Sequence, residues 1–204
     1  MVCVPRTRGF DADRAVDEAM ELFWTKGYEA TSLSDLTAEL GIHPGSLYRT
    51  FGDKHALFLR ALQRYHETHA TPLAPGLLAG GPVLPRIREV LIGLIEIAAQ
   101  EAEPRGCLVA NTAGELLPGD EAIGNTLGEV LSTVEDAFLA GLRLAEKQGE
   151  IPAGLDLPGW AATLTMLLQG LQVVVKTDPD PRRLARSVDG VLESLAGRPE
   201  CRQG

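Results

Sequence analysis

The chain is poor in cysteine, histidine and aromatic residues. Its three cysteines, Cys3, Cys107 and Cys201, are too few and too scattered over 204 residues for a disulfide framework or a zinc site. They fit a reducing cytoplasm, the expected localisation. Of four histidines, His66 and His69 sit three apart on a predicted helix, but no third ligand accompanies them, so a solvated pair is favoured and no metal or cofactor is expected. No apolar run approaches the roughly eighteen residues of a membrane span, so no membrane partner is expected. Residues 1–14 lack the apolar stretch and cleavage site of a signal peptide. There is no glycine-rich phosphate loop, no nucleophile elbow and no strand alternation or internal repeat, so the chain is not expected to be an enzyme. The net charge of −9 argues against an unspecific nucleic-acid binder. Residues 1–70 carry eight Lys/Arg against ten Asp/Glu, or −2, and the remainder eleven against eighteen, or −7. Any binding to DNA by the first part must therefore come from local placement: an Arg6/Arg8 arm, Arg49 and Lys54.

What the chain does have is the stretch TSLSDLTAELGIHPGSLYRTFGDK, residues 31–54. Ser32 and Asp35 stand at capping-box spacing, so the serine can accept from a free first-turn amide while the aspartate reaches back. Leu33, Leu36 and Leu40 repeat at helical spacing and predict one buried face. Gly41 suits the left-handed residue closing a helix, and Pro44 suits the first position of the next. Leu47 and Phe51, four apart, point inward. That leaves His43, Gly45, Ser46, Tyr48, Arg49 and Thr50 outside, on a short helix of a kind a major groove accepts. Tyr48 and Lys54 are candidate phosphate contacts, against the alternatives of a half-buried aromatic and a solvated charge. Arg49 and Thr50 are candidate base readers, and Thr31, Ser32 and Pro44 complete the candidate DNA-binding set.

This run, with Gly41, Gly45, Leu47-Tyr48, Phe51 and Lys54 in register, resembles the DNA-binding segment of TetR-type transcriptional regulators over about residues 10–65. The position before Pro44, often a small hydroxyl residue in that family, is His43 here. The resemblance implies a homodimer with an N-terminal helix-turn-helix domain (residues 1–70) and a C-terminal helical domain (71–204) for ligand sensing and dimerisation. It implies a pseudo-palindromic double-stranded operator as partner, and release by a small effector or chemical signal.

The rest of the chain reads as helix throughout, giving an all-α fold of about nine helices: residues 11–26 with Val16, Ala19, Met20 and Phe23 inward and Trp24 as core filler, the two short helices, then 54–69, 86–103, 107–117, 121–148, 158–176 and 182–195. The Pro/Gly-rich residues 71–85 mark the domain boundary. The segment RGCLVANTAGEL, residues 105–116, resembles a branch of the family whose sensor domain begins a helix with Gly-Cys-Leu and some of whose members respond to electrophiles or oxidants. Cys107 is expected in the first turn of that helix, where the amides favour a thiolate. Lys176, at the end of an apolar helix, is a candidate neighbour. The alternative makes Cys107 an inert buried residue and Lys176 a helix cap. Phe138, Trp160 and Met166 are candidate effector-pocket linings, against ordinary core packing. Leu164, Leu167, Leu168 and Leu171, with Leu184, Val188, Val191 and Leu195, form two stripes expected to make a four-helix dimer interface, the alternative being intrachain core. A sequence-specific transcriptional regulator acting as a repressor is the reading preferred. An adaptor module without DNA activity and a small cysteine-dependent helical enzyme are the alternatives.

Overall fold

The structure, a computed structural model, describes residues 11–177 and 180–197. Every regular element among them is helical, as expected. The chain divides into two compact units that part between Arg64 and Tyr65.

The first unit holds α1 (Ala12–Lys26), α2 (Leu33–Glu39), α3 (Pro44–Phe51) and the start of α4 (Lys54–Tyr65). Asp11 caps α1, accepting from the amides of Asp13 and Arg14, and Gly27 ends the helix with φ 86°. Ala15, Val16, Ala19, Met20 and Phe23 are buried on one face. Phe23 meets Phe58 edge-on at 4.8 Å between ring centroids, and Tyr28 lies 4.8 Å from the same ring. The expectation for Trp24 is corrected: it is half-buried, because the helical register gives the interior to Phe23 next to it. Arg64 on α4 pairs with Asp17 (3.1 Å) and Asp13 (3.5 Å) on α1, which places the acidic face of α1 against a cation.

In the second unit α4 passes into a turn of π-helix, His66–Ala70, followed by α5 (Leu73–Leu77), α6 (Val83–Gln100), α7 (Leu108–Leu116), α8 (Glu121–Gln148), α9 (Leu157–Val174) and α10 (Pro181–Ala196). The α5 helix lies inside the stretch the sequence presented only as Pro/Gly-rich boundary. It forms because Leu77 is wholly buried against α8, and packing outweighs poor propensity. Helix α8 is the spine. It buries Ile123, Leu127, Val130, Val134, Phe138 and Leu142 against α5, α6, α7 and α9. At Gly141 an added Cβ would lie 3.3 Å from Val83 Cγ1, so the glycine permits close approach of α6.

Helix α6 begins at Val83, three residues before the expected start. Its cap comes from far along the chain: the Glu150 carboxylate accepts from the Val83 amide at 2.7 and 2.9 Å and from the Leu84 amide at 2.9 Å. These are the free first-turn amides that Pro82 cannot serve, and the carboxylate also opposes the positive end of the helix. Arg86 closes the loop before α6, donating to the carbonyls of Leu77, Gly80 and Gly81. Arg88 on α6 makes a two-point pair with Asp189 on α10. No helix among the described residues is long and apolar enough to cross a membrane.

Candidate nucleic-acid interface and thiol site

The capping box at α2 forms in full. The Asp35 amide donates to Ser32 Oγ (3.0 Å), and the Ser32 amide donates to Asp35 Oδ2 (2.8 Å). Lys26 pairs with the same carboxylate at 2.8 Å. That ammonium first, and then the Ser32 side chain and amide, hold the Asp35 carboxyl well below the usual range. Thr31 is fully buried, its hydroxyl donating to the Gly27 carbonyl at 2.6 Å. Its place among the outward-facing candidates is therefore corrected: it closes the α1–α2 corner. Ser32 remains exposed but is committed to the cap.

Gly41 takes φ 61° and turns the chain. The Ile42 amide donates back to the Thr37 carbonyl at 3.1 Å. His43 stands at the N-cap of α3 and makes no side-chain cap bond; Pro44 follows at the first position. Leu47 is fully buried and Phe51 nearly so. They anchor α3 and leave His43, Pro44, Gly45, Tyr48 and Arg49 exposed, with Ser46 and Thr50 half-exposed. Tyr48 is 48% exposed, a large apolar ring kept in water. Arg49 lies over Ser46, Nη2 to Oγ 3.4 Å. Gly45 has no internal reason to be glycine: its φ is not positive, and an added Cβ would meet nothing within 4 Å. Lys54 opens α4 with its ammonium 4.2 Å above the Tyr28 ring. Tyr28 is a residue the sequence reading missed. It holds that cation at the edge of α3, and an aromatic directly after the helix-ending Gly27 was the available signal.

In the second unit Cys107 is 2% exposed and is the N-cap of α7, one residue outside the first turn where it was expected. Its Sγ lies 3.5 Å from the Tyr65 hydroxyl. Burial pushes the Tyr65 phenol far up, the adjacent Cys107 sulfur pushes it further, and a bond with the Leu108 amide works the other way. Gly106 takes φ 67°, and an added Cβ would fall 2.5 Å from the Gln172 carbonyl oxygen and 2.6 Å from Lys176 Cε. Glycine is required there twice over, by conformation and by contact. Lys176 is exposed, and its Nζ donates to Asn111 Oδ1 at 2.6 Å, while Asn111 Nδ2 donates to the Arg105 carbonyl. The structure thus brings Lys176 to the Cys107 segment. Tyr65 and Asn111 were missed, because nothing local marks partners 42 and 65 residues away.

The three proposed pocket linings differ in burial. Phe138 is fully buried in the α8 core, Trp160 is half-buried and Met166 is 66% exposed. The dimer stripe is also corrected. Leu164, Leu168, Leu171, Leu184, Val188 and Leu195 are buried within the chain, and Leu167 and Val191 are half-buried. Contacts of α9 with α8 and of α10 with α6 consume these side chains. The outward face of α9 is instead Met166, Gly170 and Val173, at i, i+4 and i+7, with Val173 52% exposed.

The profile of bacterial regulatory proteins of the tetR family matches residues 15–61, and that of tetracyclin repressor-like C-terminal domains matches residues 83–191. The chain belongs to the TetR family. The HTH-type transcriptional regulator YezE of Bacillus subtilis is 33% identical over 191 residues, covering 93% of this chain and 98% of that one. The repressor ComR of Escherichia coli is 32% identical over 176 residues, 84% of each. Among solved structures, a cysteine mutant of the TetR family regulator CifR complexed with 26-bp double-strand operator DNA superposes with TM-score 0.80 at 32% identity, covering 93% of this chain and 99% of that one. Reduced NemR of Escherichia coli shares the fold at TM-score 0.78 and 19% identity. In TetR-family terms α2 and α3 are the helix-turn-helix.

Proposed function

We propose that this TetR-family regulator is a cytoplasmic, non-enzymatic repressor. It binds a pseudo-palindromic double-stranded operator as a homodimer and is released by modification of Cys107 or by a small ligand. The observation that carries the DNA reading is α3 itself: a short helix pinned by Leu47 and Phe51 that turns Gly45, Tyr48 and Arg49 outward. The family match and the operator-bound relative support it. Two copies of α3 enter successive major grooves about 34–36 Å apart. Tyr48 and the amides at the start of α3 contact phosphates, Arg49 reads a base, and Lys54, steadied by Tyr28, adds a phosphate contact. Dimer contacts use the outward stripe of α9, Met166, Gly170 and Val173, because the leucines first assigned to the interface are already occupied.

For release, the joint around Cys107 is tightly fitted, with Gly106 against Gln172 and Lys176. Polar bulk on the sulfur cannot be absorbed there, so α7 and the end of α9 must shift. Selection from random duplexes at low salt, followed by a gel shift with the enriched site, tests the reading. Enrichment of an inverted repeat, with salt-dependent binding, is expected. If no site is enriched, the DNA reading fails.

A further inference from the structure

We propose that His43 is a second base-reading residue beside Arg49, donating from its imidazole to the N7 acceptor of a purine in the base pair next to the guanine that Arg49 takes. The proposal rests on reading α3 as the helix that enters the major groove. It gives a specificity-determining role to a side chain that the fold itself does not use.

Serine, threonine, asparagine and aspartate cap helices well, and histidine is not among them. At His43 little capping is needed. Pro44 has no N–H, and the amides of Ser46 and Leu47 both donate to the His43 carbonyl, at 2.8 and 3.2 Å. The imidazole makes no cap bond, is exposed, and is bonded to none of the described residues. Folding therefore leaves this ring unspent. His43, Ser46 and Arg49 follow one another at intervals of three residues, which puts them on one ridge of α3. Each interval advances about 4.5 Å along the helix. Arg49 Nη2 lies 3.4 Å from Ser46 Oγ, so the guanidinium is drawn back along that ridge toward the N-terminal end. The two heads are thereby brought within reach of neighbouring steps of a duplex, whose rise is about 3.4 Å. The N-terminal residues of a recognition helix are the ones that meet base edges. A short side chain needs close approach, and at Gly45 an added Cβ would meet nothing within 4 Å, which leaves room for it.

The two heads ask for different bases. A guanidinium presents paired N–H groups and takes both O6 and N7 of guanine. An imidazole presents one ring N–H toward a base edge and takes one acceptor. N7 is the major-groove acceptor that guanine and adenine share, and it is not shielded by a methyl group as thymine O4 is. Cytosine offers a donor instead, which an N–H opposes. His43 therefore selects purine over pyrimidine without separating guanine from adenine, next to a position where Arg49 selects guanine alone.

The test uses the full chain. Wild type, His43→Ser and Arg49→Ala are each put through selection from random duplexes at low salt. Affinities are then measured on the wild-type site and on the same site with single 7-deazapurines, which lack N7. His43→Ser places a good cap at the start of α3, so helicity should be kept. Wild type is expected to enrich half-sites with a purine of either kind beside the guanine whose selection Arg49→Ala abolishes. Removing N7 from that neighbouring purine should weaken wild type by about three- to ten-fold, the scale of one hydrogen bond. His43→Ser should accept any base there, bind the intact and 7-deaza sites equally, and still select the guanine. A merely structural role for His43 would weaken binding to all sequences and leave the base preferences as they were. That result, or a wild type indifferent to 7-deaza substitution at every purine outside the Arg49 position, overturns the proposal. The 7-deaza measurement needs wild type alone, so it decides the matter even for a variant that folds poorly. A wild type that enriches no site at all is a different failure: it removes the DNA reading of α3, and this proposal with it.

Discussion

Gly45→Ala separates what α3 needs to fold from what it needs to bind. In the free chain nothing opposes the substitution, because the backbone there is not left-handed and the new methyl meets no atom within 4 Å. Alanine lowers the conformational entropy of the unfolded chain and has the higher helix propensity, a gain of about 0.5–1 kcal/mol. For a chain of this length that corresponds to a rise of roughly 1–4 °C in melting temperature. A glycine that costs stability and serves no internal contact is explained by the close approach of an outside surface. If that surface is the DNA backbone or groove floor, a methyl in each of two half-sites keeps both helices from seating, and operator affinity should fall at least about ten-fold, or 1.4 kcal/mol. Calorimetry and a gel shift on the same preparation give both numbers. A variant more stable than wild type and unchanged in operator affinity refutes the seating of α3 at Gly45. A destabilised variant refutes the account of the free helix.

Three further outcomes follow from the geometry. Glu150→Ala strips the cap from α6 and leaves the Val83 and Leu84 amides without their acceptor, so urea unfolding should show a loss of about 2–3 kcal/mol, the scale of hydrogen bonds to a charged group. Met166→Glu should convert the dimer to monomer in light scattering at micromolar concentration, with helicity retained because the side chain is 66% exposed; a dimer unchanged in mass would move the interface off α9. For Asp35, the folded carboxyl is depressed below its unfolded value by Lys26 and Ser32. Its contribution is therefore complete above the usual carboxylate range and is lost as pH falls through that range toward the folded value. Wild type and Asp35→Asn should differ in urea midpoint near neutral pH and converge in strong acid, and a constant difference across that window would disprove the assignment.

The sequence by itself determined the helix-turn-helix, because everything that shapes it is local. The capping box joins residues three apart, the Leu47–Phe51 anchor residues four apart, and Gly41 and Pro44 punctuate the turn through their own backbone preferences. One-dimensional spacing contains that information. Tertiary structure decided the rest. Helix α9 is apolar around most of its circumference, so periodicity could not say which leucines face α8 and which face outward. Packing buried Leu164, Leu168 and Leu171 and left Met166 and Val173 in solvent. Thr31 looked like a surface hydroxyl until the corner closed over it. The cap of α6 and the phenol on Cys107 come from residues 67 and 42 positions away. Such pairs leave no periodic trace in sequence, since only the closing of the chain brings a single donor and its acceptor together, and each is fixed by the need to satisfy polar groups the core has cut off from water.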